Sequence, residues 1–208
     1  MYTPPAFRVD DVADIHRAMR EARSATLVTA TEEGLIGTPL PMILDESEGR
    51  SGTLYAHLAR ANPQWRLAPA GEAMAIFHGP EAYITPSWYA TKQETHRVVP
   101  TWNYVAVHAY GPAEFFDDLD RLLDVITRLT SVHEKTRAEP WAVTDAPTDF
   151  IKAQLKGIVG LRMPILRLEG KRKMSQNRNA ADRAGVIEGL SESDRAEDRL
   201  VASMIAAA

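Results

Sequence analysis

The chain has 208 residues, 45% of them hydrophobic and 25% charged, with 24 Lys and Arg against 28 Asp and Glu. That composition supports a folded globular core and excludes collagen, coiled coil and wholesale disorder, while a net charge of −4 supplies no general attraction to phosphate backbones. The absence of cysteine removes disulfides, thiolate metal sites and cysteine nucleophiles together, and no window approaches the roughly 20 apolar residues of a membrane span.

The N-terminus lacks the basic-then-apolar pattern of a secretory signal, so the expected compartment is the cytoplasm, with no membrane partner. Residues 10–22 predict a helix, with Val12, Ile15 and Met19 on one face and acids in the first turn. Residues 25–31 and 35–44 then predict a β-hairpin around Glu32-Glu33-Gly34. Pro39 and Pro41 cannot donate to a ladder, which makes the second strand an edge, a bulge or a ligand-facing segment. A third strand is expected over 53–58, a short helix broken by Pro63 over 59–68, and two strands over 73–78 and 81–85 separated by a Gly79-Pro80 turn. Residues 86–100 fit neither period and read as a functional loop; 102–116 read as one long strand kinked at Gly111-Pro112.

Asp117 to Arg137 shows the clearest helical periodicity, Asp145 to Lys156 a shorter one, and 157–168 a last strand. Residues 170–183 carry a net charge of +4 and residues 191–199 one of −2, in a helical tail. Short strands framed by helices predict a mostly β (α+β), barrel-like fold. The expected organisation is a domain over 1–170 with inserted helices at 117–156, and a basic segment with helical tail over 171–208 packed on it.

No nucleophile elbow, paired-histidine zinc motif, Walker loop or dinucleotide fingerprint occurs, so hydrolase, metalloenzyme and common nucleotide-binding readings rank low. Four segments stand out: 57–65 (HLARANPQW), 79–89 (GPEAYITPSWY), 99–104 (VPTWNY) and 170–178 (GKRKMSQNR). Three of them mix aromatics or apolar residues with amides or cations, and 79–89 sets three aromatics among hydroxyls. A flat, phosphorylated aromatic ligand needs those groups, and flavin mononucleotide (FMN) fits the description.

These segments, with the opening MYTPPAF and the stretch 25–31, resemble the PaiB family of FMN-binding split-barrel proteins, described as negative transcriptional regulators. The resemblance implies a split β-barrel of the FMN-binding type with flanking and C-terminal helices, and a homodimer with FMN at the subunit interface. On this sequence the phosphate end would fall at His57, Leu58, Ala59, Arg60 and Asn62, with Arg60 as a fork for phosphate oxygens and free N–H groups at the start of the next helix. Thr38, Pro39, Leu40 and Pro41 would lie along the ring. Lys171 and Lys173 would supply counter-charge, and Gln176 and Asn177 hydrogen bonds, from a second subunit. The alternatives are a surface salt bridge for Arg60, a plain edge strand for 38–41, a solvated turn for 171–177 and simple packing for His57. Trp88, Tyr89, Trp102 and Tyr104 serve either the dimer core or the flavin.

Three functions remain open: a flavin-dependent regulator acting through DNA or a protein partner, an FMN-dependent oxidoreductase using NAD(P)H, and a non-catalytic flavin or haem binder. No helix-turn-helix is evident, and the one basic segment overlaps the expected flavin site.

Overall fold

Alternation between apolar and polar residues sets the strands, and helical periodicity sets the long connections. In the computed structural model, which describes residues 1–207, a short 3-10 turn precedes β1 (Arg8–Val9) and α1 (Val12–Ala22). The hairpin β2 (Ser24–Thr31) and β3 (Gly34–Pro41) follows, then β4 (Ile43–Asp45), β5 (Thr53–Ala59) and β6 (Ala73–Ile84). The chain continues through α2 (Ala90–Thr95), β7 (Thr101–Gly111), β8 (Glu114–Phe116), α3 (Leu119–Glu134) and α4 (Thr148–Leu155). It ends with β9 (Ile158–Pro164), β10 (Arg167–Lys173), α5 (Ala180–Ser191) and α6 (Ala196–Ala206). Hydrogen bonding orders the strands β1-β10-β7-β6-β2-β3 in one sheet and β4-β5-β9-β8 in another. Among the described residues no helix is long and apolar enough to cross a membrane.

The chain divides into two compact units. One comprises Met1–Ala18, His78–Val107 and Glu169–Ala208; the other comprises Met19–Phe77 and His108–Leu168. In the first, Ala82, Ile84, Tyr89, Met174, Leu190 and Ile205 belong to one apolar cluster that buries the inner faces of α5 and α6. In the second, Leu122 and Val125 of α3 are buried, as are Leu27, Leu54, Phe77 and Leu161 of the strands. The predicted face of the first helix survives in part: Ile15 and Met19 are buried, whereas Val12 is exposed.

Several element boundaries differ from expectation for identifiable reasons. The Gly79-Pro80 pair does not turn the chain; β6 runs straight through it. A Cβ at Gly79 would come within 2.8 Å of Val105 Cβ, so the glycine serves a close strand approach. The long strand expected over 102–116 stops at Gly111, where a Cβ would meet the Pro164 carbonyl oxygen at 1.9 Å, and β8 joins the second sheet. The strand expected over 157–168 breaks at Ile165 and Leu166, whose N–H groups donate to the carbonyls of Gly52 at 3.0 Å and Tyr110 at 2.8 Å. The basic segment therefore begins as β10, a paired strand.

The loop expected over 86–100 contains α2. Asp182, 91 residues away, accepts from Thr91 N and Thr91 Oγ1, both at 2.9 Å, and so satisfies a first-turn donor that the local sequence leaves unpaired. His96 ends α2 in the left-handed region at φ 55°.

Candidate functional site

In the second unit β3 pairs only with β2, placing Pro39 opposite Thr26 and Pro41 opposite Ser24 at a sheet edge. Leu40 is buried, while Pro39 and Pro41 are exposed. A polar brace then ties this edge to the turn after β5. Asn62 Nδ2 donates to Thr38 Oγ1 at 3.0 Å, and Asn62 Oδ1 accepts from Gln64 N at 2.9 Å. The fully buried Gln64 amide donates to Thr29 Oγ1 at 3.0 Å and to the carbonyls of Leu27 and Ile36 at 3.3 Å. Thr38 and Asn62, predicted from separate motifs, are thus in contact.

The short helix expected at 59–68 is only a 3-10 turn, Pro63–Arg66, because Pro63 removes a donor and Asn62 caps the Gln64 N–H. The free N–H groups expected there for a phosphate are not offered by a helix. Arg60 is similarly engaged: Nε donates to Lys156 O at 2.8 Å, a terminal nitrogen to Ile158 O at 3.2 Å, and the other to Asp117 at 3.3 Å. Its fork ties together the end of α4 and the start of β9. It also lies 5.8 Å from the Trp65 ring centre.

His57 stands opposite Gly160 in the β5–β9 ladder, and Phe116 of β8 pairs with the same glycine. Leu58 is buried and Ala59 exposed at the strand end. The His57 Nδ1 atom is buried without a hydrogen-bond partner, and burial pushes the imidazole pKa down, which favours the neutral ring. The Gln64 Oε1 atom is likewise buried and unpartnered. Each such atom costs about 1–3 kcal/mol until something bonds it.

The first unit holds the second group. Lys171 and Lys173 project from one face of β10, whereas Arg172 between them faces the other way and donates to Met204 O at 3.1 Å. Lys171 is buried; its ammonium donates to Tyr2 O at 3.1 Å and sits 5.0 Å from the Tyr104 ring centre. Lys173 donates to Thr101 Oγ1. Burial lowers the Lys173 pKa first, and the neighbouring charges of Lys171 and Arg178 lower it further. Arg178 lies 4.5 Å from the centre of the Tyr89 ring. No ion pair with a carboxylate is recorded for these three cations among the described residues.

Ser175, at φ 59°, turns the chain out of β10 and accepts from Asn103 Nδ2 at 2.9 Å. Gln176 braces that turn, accepting from Met174 N and donating to Arg172 O, both at 2.6 Å, while Asn177 is exposed. Asn103 is fully buried, and its Oδ1 has no partner. Arg178, Thr101, Asn103 and Tyr2 were not among the predicted cofactor-binding residues. Three lie within segments singled out for composition; Tyr2 is 169 residues from the lysine it meets, and no local pattern reports that.

Each unit has chemistry that suits part of a phosphorylated flavin. In the first, Lys171, Lys173 and Arg178 suit a phosphate and the orphaned Asn103 Oδ1 a donor; in the second, the orphaned His57 and Gln64 atoms suit a ligand rich in donors and acceptors.

Residues 1–167 match the family described as "Putative FMN-binding domain". The chain is 34% identical over 206 residues to "Protease synthase and sporulation protein PAI 2" of Bacillus subtilis, covering 99% of this chain and 96% of that protein. It is 28% identical to the uncharacterized protein AN0679 of Emericella nidulans, with 99% and 96% of the two chains covered. Among solved structures it resembles the flavocytochrome Anf3 from Azotobacter vinelandii, at TM-score 0.56 and 10% identity over 80% of this chain and 69% of that one. It also resembles the FAD and heme binding protein from Mycobacterium smegmatis, at TM-score 0.56 and 14% identity over 80% and 73%. The open antiparallel sheets with flanking helices are the split-barrel fold. The chain therefore belongs to the FMN-binding split-barrel family that includes the Bacillus PAI 2 protein.

Proposed function

We propose that the protein is a homodimeric, FMN-binding regulator in which the Lys171, Lys173 and Arg178 cluster neutralises the flavin phosphate. The observation that carries this reading is a set of partly buried cations that repel one another and have no carboxylate partner among the described residues. Such an arrangement costs stability in the free protein and is relieved by a dianion. Arg60, the phosphate fork expected from sequence, is held by two backbone carbonyls and Asp117, so its proposed part is to position the turn carrying Asn62.

A bound flavin supplies a ring that takes up or releases electrons. The chain's own contribution is to hold and orient it. Exposed Pro39 and Pro41 line the β3 edge, while Thr38 and Asn62 lock that edge to the turn. The buried His57 Nδ1 offers a hydrogen bond to a ring or ribityl atom. In the proposed homodimer the β10 cations of one chain serve a flavin at the β3 edge of the other, the arrangement that the resemblance to interface-binding flavin split barrels implies.

The regulatory role draws support from the name of the Bacillus relative, which concerns protease synthesis and sporulation. Charge opposes duplex reading by the α5–α6 pair: the first turn of α6 carries Glu197 and Asp198, and Val201, Ala202 and Ile205 are buried. Regulation through a protein contact responsive to flavin occupancy fits this surface better.

The test is an FMN titration by flavin fluorescence with mass in solution, on wild type and on Lys171→Gln and Lys173→Gln. Micromolar binding to a dimer, weakened roughly tenfold to a hundredfold by each variant, is the expected result. Equal affinity in all three proteins overturns the phosphate assignment, and a monomer that binds FMN fully overturns the interface.

A further inference from the structure

A cavity of about 250 Å³ lies wholly within the second unit, and none of the residues proposed for the flavin lines it. Its floor is apolar and buried: Met19, Met42, Ile43, Leu54 and Phe77. Its mouth carries Arg20, Arg23, His133 and Lys135. No carboxylate side chain lines it; Glu46 pairs with Arg20 from outside.

Two of these cations have no recorded carboxylate partner among the described residues, and both follow a helix. Arg23 comes directly after α1 and Lys135 directly after α3. A helix C-terminus carries roughly half a negative charge, so the two helix ends offset about one of the two positive charges and leave about one. Arg23 is also an arginine in a position that favours glycine, at φ 61°, with its N–H donating to Met19 O at 3.3 Å. A helix end that uses arginine there keeps a guanidinium at the cavity mouth despite the backbone penalty.

We infer that this cavity is a second ligand site, for a small amphipathic monoanion: a carboxylate whose hydrocarbon body of about five carbons sits on the methionine and phenylalanine floor. At about 30 Å³ for each group the size of a water molecule, the volume admits roughly eight non-hydrogen atoms, the size of hexanoate. The net charge at the mouth matches one carboxylate, and an Arg23 fork can take both of its oxygens. The site does not depend on the flavin reading.

The floor provides its own probe. Met19 and Met42 line the cavity, whereas the other five methionines do not. With methyl-labelled methionine in the full chain, titration with hexanoate is expected to shift the Met19 and Met42 signals, assigned by conservative Met→Leu variants, and leave the rest unmoved. Hexanoate is expected to bind at least tenfold tighter than 1-hexanol or hexylamine. Arg23→Gly, which the local backbone favours, and Lys135→Gln are each expected to weaken hexanoate several-fold while leaving hexanol unchanged. Unmoved Met19 and Met42 signals, equal affinity for hexanol, or insensitivity to both variants overturns the site. Displacement of hexanoate by FMN overturns its independence, whereas FMN binding alongside hexanoate supports two sites; loss of FMN binding alone leaves this result intact.

Discussion

At the scale of the residue, two bases whose protonated forms are opposed by burial, His57 and Lys173, make separate predictions. His57 has its pKa lowered by burial, so between the folded value and the unfolded value of about 6.5 the unfolded chain binds the extra proton. Stability is therefore lost as pH falls through that window, by at most about 1.4 kcal/mol per pH unit. Urea unfolding at pH 7.5 and pH 5.5 is expected to show this loss in wild type and a smaller one in His57→Gln. An equal loss in both proteins rules His57 out as its source.

Lys173 follows the same sign at higher pH: its lowered pKa means that folding holds a cation where burial and two like charges oppose it. The penalty is fully present below the folded pKa, and hence at neutral pH, and is relieved only as pH rises toward the unfolded value. Lys173→Gln is expected to leave the flavin-free protein at least as stable as wild type and to reduce the stabilisation conferred by saturating FMN. A variant that is merely destabilised, with the FMN increment unchanged, contradicts a binding role. These site residues were only partly legible in sequence. The lysines stood in a basic run, but their isolation from acids is a tertiary fact, as is the capture of Arg60 by the carbonyls of Lys156 and Ile158.

Elements were legible wherever their own periodicity decided them, and illegible where distant residues did. The β2–β3 hairpin and α3 follow from local pattern alone. Helix α2 does not, because its capping carboxylate is Asp182 on α5. Asp182→Ala is expected to cost about 2–4 kcal/mol, since it removes two charge-assisted hydrogen bonds inside the first unit. Hydrogen exchange should locate the loss at residues 86–96. Protection there unchanged from wild type would mean that α2 stands without this cap. Glycine at 185 makes the same point from sterics. It looks like a helix weakener in sequence, yet its missing Cβ admits the Trp88 carbonyl oxygen, which would lie 2.0 Å from one.

For the molecule as a whole, the balance of charge decides between the two routes to regulation. A chain of net charge −4 with an acidic tail can engage duplex DNA only through a local patch, and Lys171, Lys173 and Arg178 form one in which three cations stand together without a carboxylate partner among the described residues. The same cations are proposed to hold the flavin phosphate, so duplex and FMN must compete for them. The expected outcome is that any DNA binding seen at about 50 mM salt is weak, falls steeply with added salt, and disappears on saturation with FMN. A complex that survives FMN would place the nucleic-acid contact elsewhere and favour direct control of transcription. Loss of the complex on FMN saturation leaves a protein partner as the route, because the loaded molecule then offers no compensating basic surface from this segment. Gel-shift titration with and without FMN, using the Lys173→Gln variant as reference, separates these routes in one series.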